Sequence, residues 1–375
     1  MRNLVLLVGS GASFHLKLPS LRSVTVTEFE TLARLGEVPM RRGHASLLRA
    51  FTDGGRFDYE DLIARVLACE RYIAATRTES VAIGRQRVDS ARLRDFRTLL
   101  KSVLVRACEW RRHMDSLDED LRQDPLHAHR EFLRRTIAAR RHNLPRLRIF
   151  TTNYDLLIEE ALDALQVKYV DGFVGTITRS FIPRELGLDS TLPTDCEAAV
   201  CKMHGSINWR AGGDSDAAAI TQSHGTTDGA EAVVYPTPLK ESDVMGYPYS
   251  ELMRALSTQL TQPQTALLVV GYGFRDDHIN RIIMRAWDAS PSLQILVVTP
   301  TGVCTAVDNT RVEFAETPIG SLARVGLGSL SVLTGEAAAF QRFAALLPDP
   351  DEQVVPRSRL DDAATRLRRA LLPQG

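Results

Sequence analysis

Arg148-Ile149-Phe150-Thr151-Thr152-Asn153-Tyr154-Asp155 is the stretch that decides the fold. Ile149 and Phe150 read as the end of a buried strand, and polar residues follow at once. A helical pattern then begins at Leu156, Leu157, Ile158, Ala161, Leu162 and Leu165. A strand that ends in polar side chains and turns into a helix sets those side chains at the carboxyl edge of a parallel sheet, where open α/β folds bind ligands. Asn153 can donate and accept at once, which suits gripping sugar hydroxyls. Equally, Asn153 or Asp155 can serve as the cap of the helix that follows.

The same pattern recurs on either side. Leu4-Val5-Leu6-Leu7-Val8 is a continuous apolar run suited to a strand buried on both faces, and Gly9-Ser10-Gly11-Ala12-Ser13 follows it directly. Small residues there let the backbone approach a pyrophosphate, although Phe14 departs from a full G-x-G-x-x-G and a plain tight turn is the alternative. Ala198 to Ser206 again looks like a short strand, ending in His204-Gly205. A histidine at a strand edge, with an ordinary pKa near about 6.5, is a natural proton acceptor at neutral pH, while a structural histidine is the bland alternative. Ala266-Leu267-Leu268-Val269-Val270 is another doubly buried strand, ending in Gly271-Tyr272-Gly273-Phe274. Asp276-Asp277-His278 then starts a helix over Ile279–Trp287, and Leu293–Val298 is one more strand with Thr299-Pro300 at its edge.

Between the first two strands the period changes. Glu28–Leu35, His44–Phe51, Tyr59–Tyr72, Arg92–Arg112 and Pro125–Arg141 carry apolar residues at three- and four-residue spacing, predicting helices. Asp58-Tyr59-Glu60-Asp61 puts acids in the first turn of the third, as the helix dipole prefers. The block is rich in arginine, but interleaved acids and few aromatics favour a solvated or subunit-contacting surface over a nucleic-acid face. Later, Tyr169 to Asp195 reads as irregular, and Arg210 to Ala232 as a glycine-rich loop, either a lid or disordered. Phe340–Leu347 reads as the last helix of the body. Pro348 to Pro356 is a proline- and acid-rich linker, and Leu360, Ala364, Leu367 and Leu371 stripe a final helix that docks on its own chain or on a partner.

These elements predict an α/β protein: a Rossmann-like parallel sheet over residues 1–26 and 144–347, with a large helical insertion after the first strand over 27–143 and a linker and C-terminal helix over 348–375. With 375 residues, 44% of them hydrophobic, the chain can bury a full core. Its net charge of zero gives no global argument for nucleic acid or an anionic membrane. No run reaches the roughly 18 apolar residues of a membrane span, and the N-terminal run ends in glycines rather than in a cleavage site. Five scattered cysteines without a C-x-x-C favour free thiols, so a cytoplasmic location is expected.

Gly9-Ser10-Gly11-Ala12-Ser13, Thr151-Thr152-Asn153-Tyr154-Asp155, Met203-His204-Gly205-Ser206 and Gly271-Tyr272-Gly273-Phe274, in that order, resemble the cofactor motifs of sirtuin-like proteins. They are most similar to those of bacterial sirtuin-like NAD hydrolases of anti-phage defence. The resemblance spans about 1–21 and 146–300 and leaves out the helical block and the tail. It implies that Asn153 orients the ribose hydroxyls and the attacking water, and that His204 is the general base. It further implies that Gly9, Ser10, Gly11, Ala12, Ser13 and Thr152 hold the pyrophosphate and that Asp155 sits near the nicotinamide ribose. Gly271, Tyr272 and Gly273 would lie beside the adenosine ribose, and Thr299 near the adenine.

Two departures bear on activity. The deacylases of that family carry a zinc module with two cysteine pairs after the histidine segment, whereas residues 210–232 contain no cysteine. A closed site of that kind needs four thiolates, so no zinc is expected. The family's Asp-Phe-Arg loop is replaced by Leu18-Pro19-Ser20-Leu21. The resemblance therefore implies an NAD glycohydrolase, with NAD+ as substrate, more than a protein deacylase or a non-catalytic NAD or ADP-ribose sensor. It also implies a homo-oligomer whose activity is held off by assembly state or a partner, and an activating protein partner, a HerA-type hexameric ATPase first and an Argonaute second.

Overall fold

The structure is a computed structural model and describes residues 2–140, 144–186, 196–211, 220–226, 232–234, 247–299, 304–308, 311–314, 330–333 and 335–349, with 232–234, 304–308 and 311–314 as backbone alone. Its first strand, β1 (Asn3–Val8), is the apolar run read above, and it is central because both of its faces must be buried. Val5 and Leu7 point into one core and Leu6 and Val8 into another, the two-residue period of a strand.

After β1 come α1 (Val26–Leu35), α2 (Arg42–Thr52), α3 (Tyr59–Thr76), a hairpin of β2 (Ser80–Ile83) and β3 (Gln86–Asp89), α4 (Ser90–Ala107), α5 (Glu119–Gln123) and α6 (His127–Ala138). Next are β4 (Leu147–Thr151), α7 (Leu157–Ala164), β5 (Tyr169–Val170), β6 (Phe173–Val174), β7 (Arg179–Phe181), β8 (Ala198–Lys202), β9 (Gly205–Ala211), β10 (Ile220–Gln222) and β11 (Ala232–Val234). The chain continues through α8 (Tyr249–Leu260), β12 (Thr265–Val270), α9 (Asp277–Ala289), β13 (Gln294–Val298), β14 (Cys304–Asp308), β15 (Arg311–Phe314), β16 (Leu330–Leu333) and α10 (Phe340–Leu346).

Seven strands form one parallel sheet in the order β16-β13-β12-β1-β4-β8-β5. The chain moves outward from β1 to β4 and β8, then crosses back to β12, β13 and β16 on the other side. The order reverses between β1 and β12, and the carboxyl ends of strands at such a reversal are where open α/β sheets take ligands. One face is covered by α8 and α9, the other by α6, α7 and α10. The stripe Ile279, Ile283, Ala286, Trp287 on α9 is the helical period made buried, each large side chain contributing about 1.5–3 kcal/mol.

The block predicted as helical over 27–143 holds two different packings. Helices α1 to α4 enclose their own core around Phe29, Tyr59, Leu62, Phe96 and Leu100, joined by Tyr154 and Ile207 from the sheet's edge. Helix α6 instead lies on the sheet with α7 and α10, through Ala128, Phe132 and Leu133. The helix predicted over Arg92–Arg112 stops at Ala107, and Trp110–Ser116 is a 3-10 segment. There Trp110 Nε1 donates to Glu160 and the ring packs with Leu16 and Leu157, contacts a continuous helix would not make. The β2–β3 hairpin went unread.

The structure departs from the sequence pattern at two further places. Instead of an irregular stretch, the chain from Tyr169 holds β5, β6 and β7, and the polar loop 210–232 contributes β10. With β9 and β11 these make a second sheet, antiparallel, in the order β11-β9-β10-β7-β6. Its Phe173, Phe181 and Trp209 rings pack edge-on or tilted against one another and extend the core under α8. Asp349 is held by Arg134 and Arg135 of α6 at 3.1 Å. The predicted C-terminal helix lies outside the described residues, as do 212–219 and 227–231 of the loop.

At the reversal point the turns after β1 and β12 touch. Gly11 N–H donates to Gly271 O at 2.9 Å, and a Cβ on Gly9 would stand 2.6 Å from Gly271 O. A Cβ on Gly271, whose φ is +65°, would stand 2.4 Å from Ala12 N. Gly271→Ala is therefore expected to destabilise the fold by about 2–3 kcal/mol, whereas Gly273→Ala, where nothing lies within 4 Å, should be nearly neutral. Denaturant unfolding midpoints of the two variants check this.

Candidate functional site

The edge of β4 is rebuilt by its own polar residues. Thr151 Oγ1 accepts the Asn153 backbone N–H at 3.1 Å, while the Thr152 N–H donates to Val8 O and Met203 N–H to Thr151 O, carrying the ladder past the strand ends. Asn153 Nδ2 donates to Ser13 Oγ at 3.1 Å, and Ser13 Oγ donates to Asp155 Oδ2 at 2.9 Å. The turn after β1 and the edge after β4 are thus joined through one hydroxyl. Asp155 accepts Leu157 N–H at 3.1 Å in an Asx-type turn, but the N-cap of α7 is Leu156, so neither Asn153 nor Asp155 is the cap. Asn153 is left with its Oδ1 buried and without a hydrogen-bond donor among the described residues. Burial pushes the Asp155 carboxyl above its ordinary range, opposed by Lys202, Leu157 N–H and Ser13. Lys202 donates to Asp155 O and pairs with Glu159 at 3.1 Å.

His204 and Asn153 leave the carboxyl ends of neighbouring strands. Thr151 and Lys202 are paired in register, and each residue lies two positions further on, from strands about 4.8 Å apart. The imidazole is buried and its Nε2 meets Asp276 Oδ2 at 2.5 Å. Asp276 comes from the turn after β12, immediately before α9. Burial lowers the pKa of His204, but the Asp276 carboxylate, and Glu60 behind it, raise it by more, leaving it above the ordinary value of 6.5. For Asp276 burial acts upward and His204 outweighs it, leaving the carboxyl below its ordinary 3.8. The two directions agree on an ionic pair. When the imidazole is neutral, the Asp276 carboxylate makes Nε2 the protonated nitrogen and leaves Nδ1 as the basic one. Asp276 was read on the sequence only as a helix-start acid; its adjacency to Asp277 hid which of the two turns inward.

A second carboxylate arrives from the insertion. Tyr154 OH donates to Glu60 Oε1 at 2.9 Å, and the Tyr154 ring lies 6.3 Å from that of His204. Asp58 caps α3 by accepting from Glu60 N–H and Asp61 N–H, which brings Glu60 inward in its first turn.

The remaining predicted residues are placed less uniformly. In the turn Gly9–Ser13 the N–H groups of Gly9, Gly11, Ala12 and Ser13 donate to Val270, Gly271, Gly9 and Ser10 carbonyls, leaving Ser10 as its exposed member. The glycines there are demanded by the contact with Gly271. Tyr272 is not brought into the site by its side chain: the ring is in the core against Phe274, and its OH reaches Asp276 O and Asn280 Oδ1, buttressing the turn that carries Asp276. Gly273 faces open space, and Thr152 is half-buried. Thr299 is buried at the end of β13, where its N–H donates to Leu333 O, two strands away from β1. A hollow of about 500 Å³ between α2 and the β2–β3 hairpin, lined by Arg42, Arg49 and Arg85 among others, contains none of these residues.

Residues 147–316 match the model of the SIR2-like domain. The match supports a sirtuin-like family and an NAD-dependent activity, since SIR2-like domains bind NAD+. It takes in Asn153, Asp155, His204, Gly271, Asp276 and Thr299, and begins after the glycine turn of β1 and the insertion. No curated protein matches the chain. Among the described residues no group of three or more His, Cys, Asp or Glu side chains is placed to hold a metal ion, and no helix is long and apolar enough to cross a membrane.

The ionic pair has a defined pH window. The raised His204 pKa contributes stability that is full below 6.5 and lost as pH rises through the folded value, while the depressed Asp276 pKa contributes above 3.8 and is lost as pH falls through its own. Asp276→Asn should therefore destabilise most between about pH 4 and 6.5, by about 3 kcal/mol, and progressively less above. Chemical denaturation of both proteins across that range measures the difference.

Proposed function

We propose that the protein is an NAD glycohydrolase that cleaves NAD+ to ADP-ribose and nicotinamide. The observation that carries this reading is the buried Oδ1 of Asn153, without a donor among the described residues, on a side chain bonded to Ser13 at the strand end next to that of His204. An orphaned buried acceptor is costly unless a donor-bearing ligand completes it, and ribose hydroxyls or a water molecule are such donors. The bond to nicotinamide breaks with positive charge developing on the sugar, and acceptor atoms in a dry site favour that charge.

In this reading Asn153 Oδ1 orients the ribose hydroxyls and the attacking water, and Ser13, itself bonded to Asp155, fixes the Asn153 side-chain amide. His204 Nδ1 takes the proton, and Asp276 keeps the imidazole in the required tautomer and steadies its charged form. Ser10, Gly273 and Thr152 offer the remaining contacts to the dinucleotide. The same reading makes the protein an NAD-depleting effector of a bacterial anti-phage system, restrained by self-assembly or by a partner of the HerA or Argonaute type. The absence of cysteine from 210–232 favours hydrolysis over deacylation.

Purified full-length protein, with and without such a partner, is incubated with NAD+ and free nicotinamide is followed by chromatography. Asn153→Ala and His204→Ala are each expected to lower release by about 10²–10⁴-fold without loss of folding. Release that survives both changes sinks the assignment. Release that requires an acyl-lysine peptide identifies a deacylase, and tight binding of NAD+ without release by any preparation identifies a sensor.

A further inference from the structure

Helix α3 belongs to the insertion, yet Glu60 in its first turn is buried among residues of the sheet's carboxyl edge. Its Oε1 takes the Tyr154 hydroxyl proton at 2.9 Å, and Tyr154 is the residue after Asn153. Its Oε2 accepts no hydrogen bond among the described residues and stands 3.8 Å from Arg22 Nη2, while Arg22 Nη1 stands 3.6 Å from Asp58. The backbone of Tyr154 in turn receives Ile207 N–H at 3.1 Å, from the strand that His204 leads into. One carboxylate therefore braces the segments that carry both site residues, from a helix the SIR2-like match does not include.

A buried carboxylate is an expensive choice for a brace. A hydroxyl–amide contact would hold Tyr154 as well, without burying a charge. What a carboxylate adds is negative potential toward an imidazole that must accept a proton. The Tyr154 ring, 6.3 Å from that of His204, spans the gap between the two. Resting on the reading of His204 as proton acceptor, we propose that Glu60 is a positioning residue of the site, supplied by the helical insertion, which braces Asn153 through Tyr154 and adds a second carboxylate, behind the Tyr154 ring, to the surroundings of His204.

The charged and titratable groups involved come from every element around the pair. Facing Glu60 are Tyr154, His204, Arg22, Asp58 and Cys108 at the end of α4. Facing His204 are Asp276, Glu60, Arg22 and Tyr154, and Asp276 faces His278 and Tyr272 in turn. Burial pushes Glu60 upward, with His204, Arg22 and Tyr154 opposing it. Glu60 and Asp276 both push His204 up, and only burial and Arg22 oppose them.

The test uses the full chain labelled at histidine, with the His204 imidazole assigned by comparison with His204→Asn and titrated by NMR. Glu60→Gln keeps the shape and an acceptor for Tyr154 but removes the charge. It is expected to lower the His204 midpoint by about one pH unit, with an unchanged melting temperature. Tyr154→Phe keeps the charge and should leave the midpoint near that of the wild type while lowering kcat more than it raises KM. In NAD+ cleavage, the acid limb of the pH profile should move down with Glu60→Gln by the same amount as the midpoint. An unmoved midpoint in Glu60→Gln overturns the proposal, even if the protein cleaves NAD+. A moved midpoint in a protein that cleaves no NAD+ leaves Glu60 in place and removes the glycohydrolase reading instead.

Discussion

Everything at the carboxyl edge of the sheet depends on how closely two turns can approach. Gly9 and Gly11 after β1 and Gly271 after β12 meet at distances that leave no room for a Cβ on either side. Ser13 is one helical turn beyond that contact and Asp276 five residues beyond it, so their positions relative to the strand ends are inherited from it. The contact also uses the N–H groups of Gly9 and Gly11 on the protein's own carbonyls. Glycine is required there by packing before any ligand enters the argument, so the glycine content of the turn is by itself poor evidence for a phosphate cradle.

Charge gives the site its chemical direction. Asp155, Asp276 and Glu60 are all buried at this edge, and Glu60 and Asp276, like Asn153, each carry an acceptor atom without a hydrogen-bond partner among the described residues. Lys202 pairs with Glu159 and donates to Asp155 O, Arg22 stands beside Glu60, and His204 pairs with Asp276. Such an excess of acceptors would be unstable if nothing cationic or donor-rich ever occupied the space. It suits a reaction in which a sugar gains positive charge, and it would work against one that builds an oxyanion.

Sequence reading recovered what has long period or continuous apolarity. The parallel strands were legible because strands buried on both faces carry unbroken runs such as Leu4–Val8 and Leu267–Val270, and because each run stops at a polar or glycine residue. The second sheet was not, because strands of two or three residues such as Phe173–Val174 and Ile220–Gln222 are too short to show alternation. The β2–β3 hairpin turns through Gly84-Arg85, which lacks the usual Asn-Gly or Asp-Gly signal. In the site, Asn153 and His204 stood out because each interrupts a strand end. Their supports did not: Asp276 is 72 positions from His204, and Glu60 fits the first-turn preference for acids so well that its inward role left no separate mark.

That overlap of roles in Glu60 connects the insertion to the chemistry. The insertion enters the chain between Ser13 and Asn153, two residues that share a hydrogen bond, so the site is assembled only when its two ends are brought back together. Its core of α1 to α4 is closed by Tyr154 and Ile207, the neighbours of Asn153 and Ser206. A rigid-body shift of α3 would draw on the Tyr154–Glu60 bond and on the Arg22 contacts before it reached any other part of the sheet. An assembly or partner that grips the insertion therefore needs no contact with substrate to change the site: moving one buried carboxylate away from His204 alters both the imidazole's charge and the brace behind Asn153.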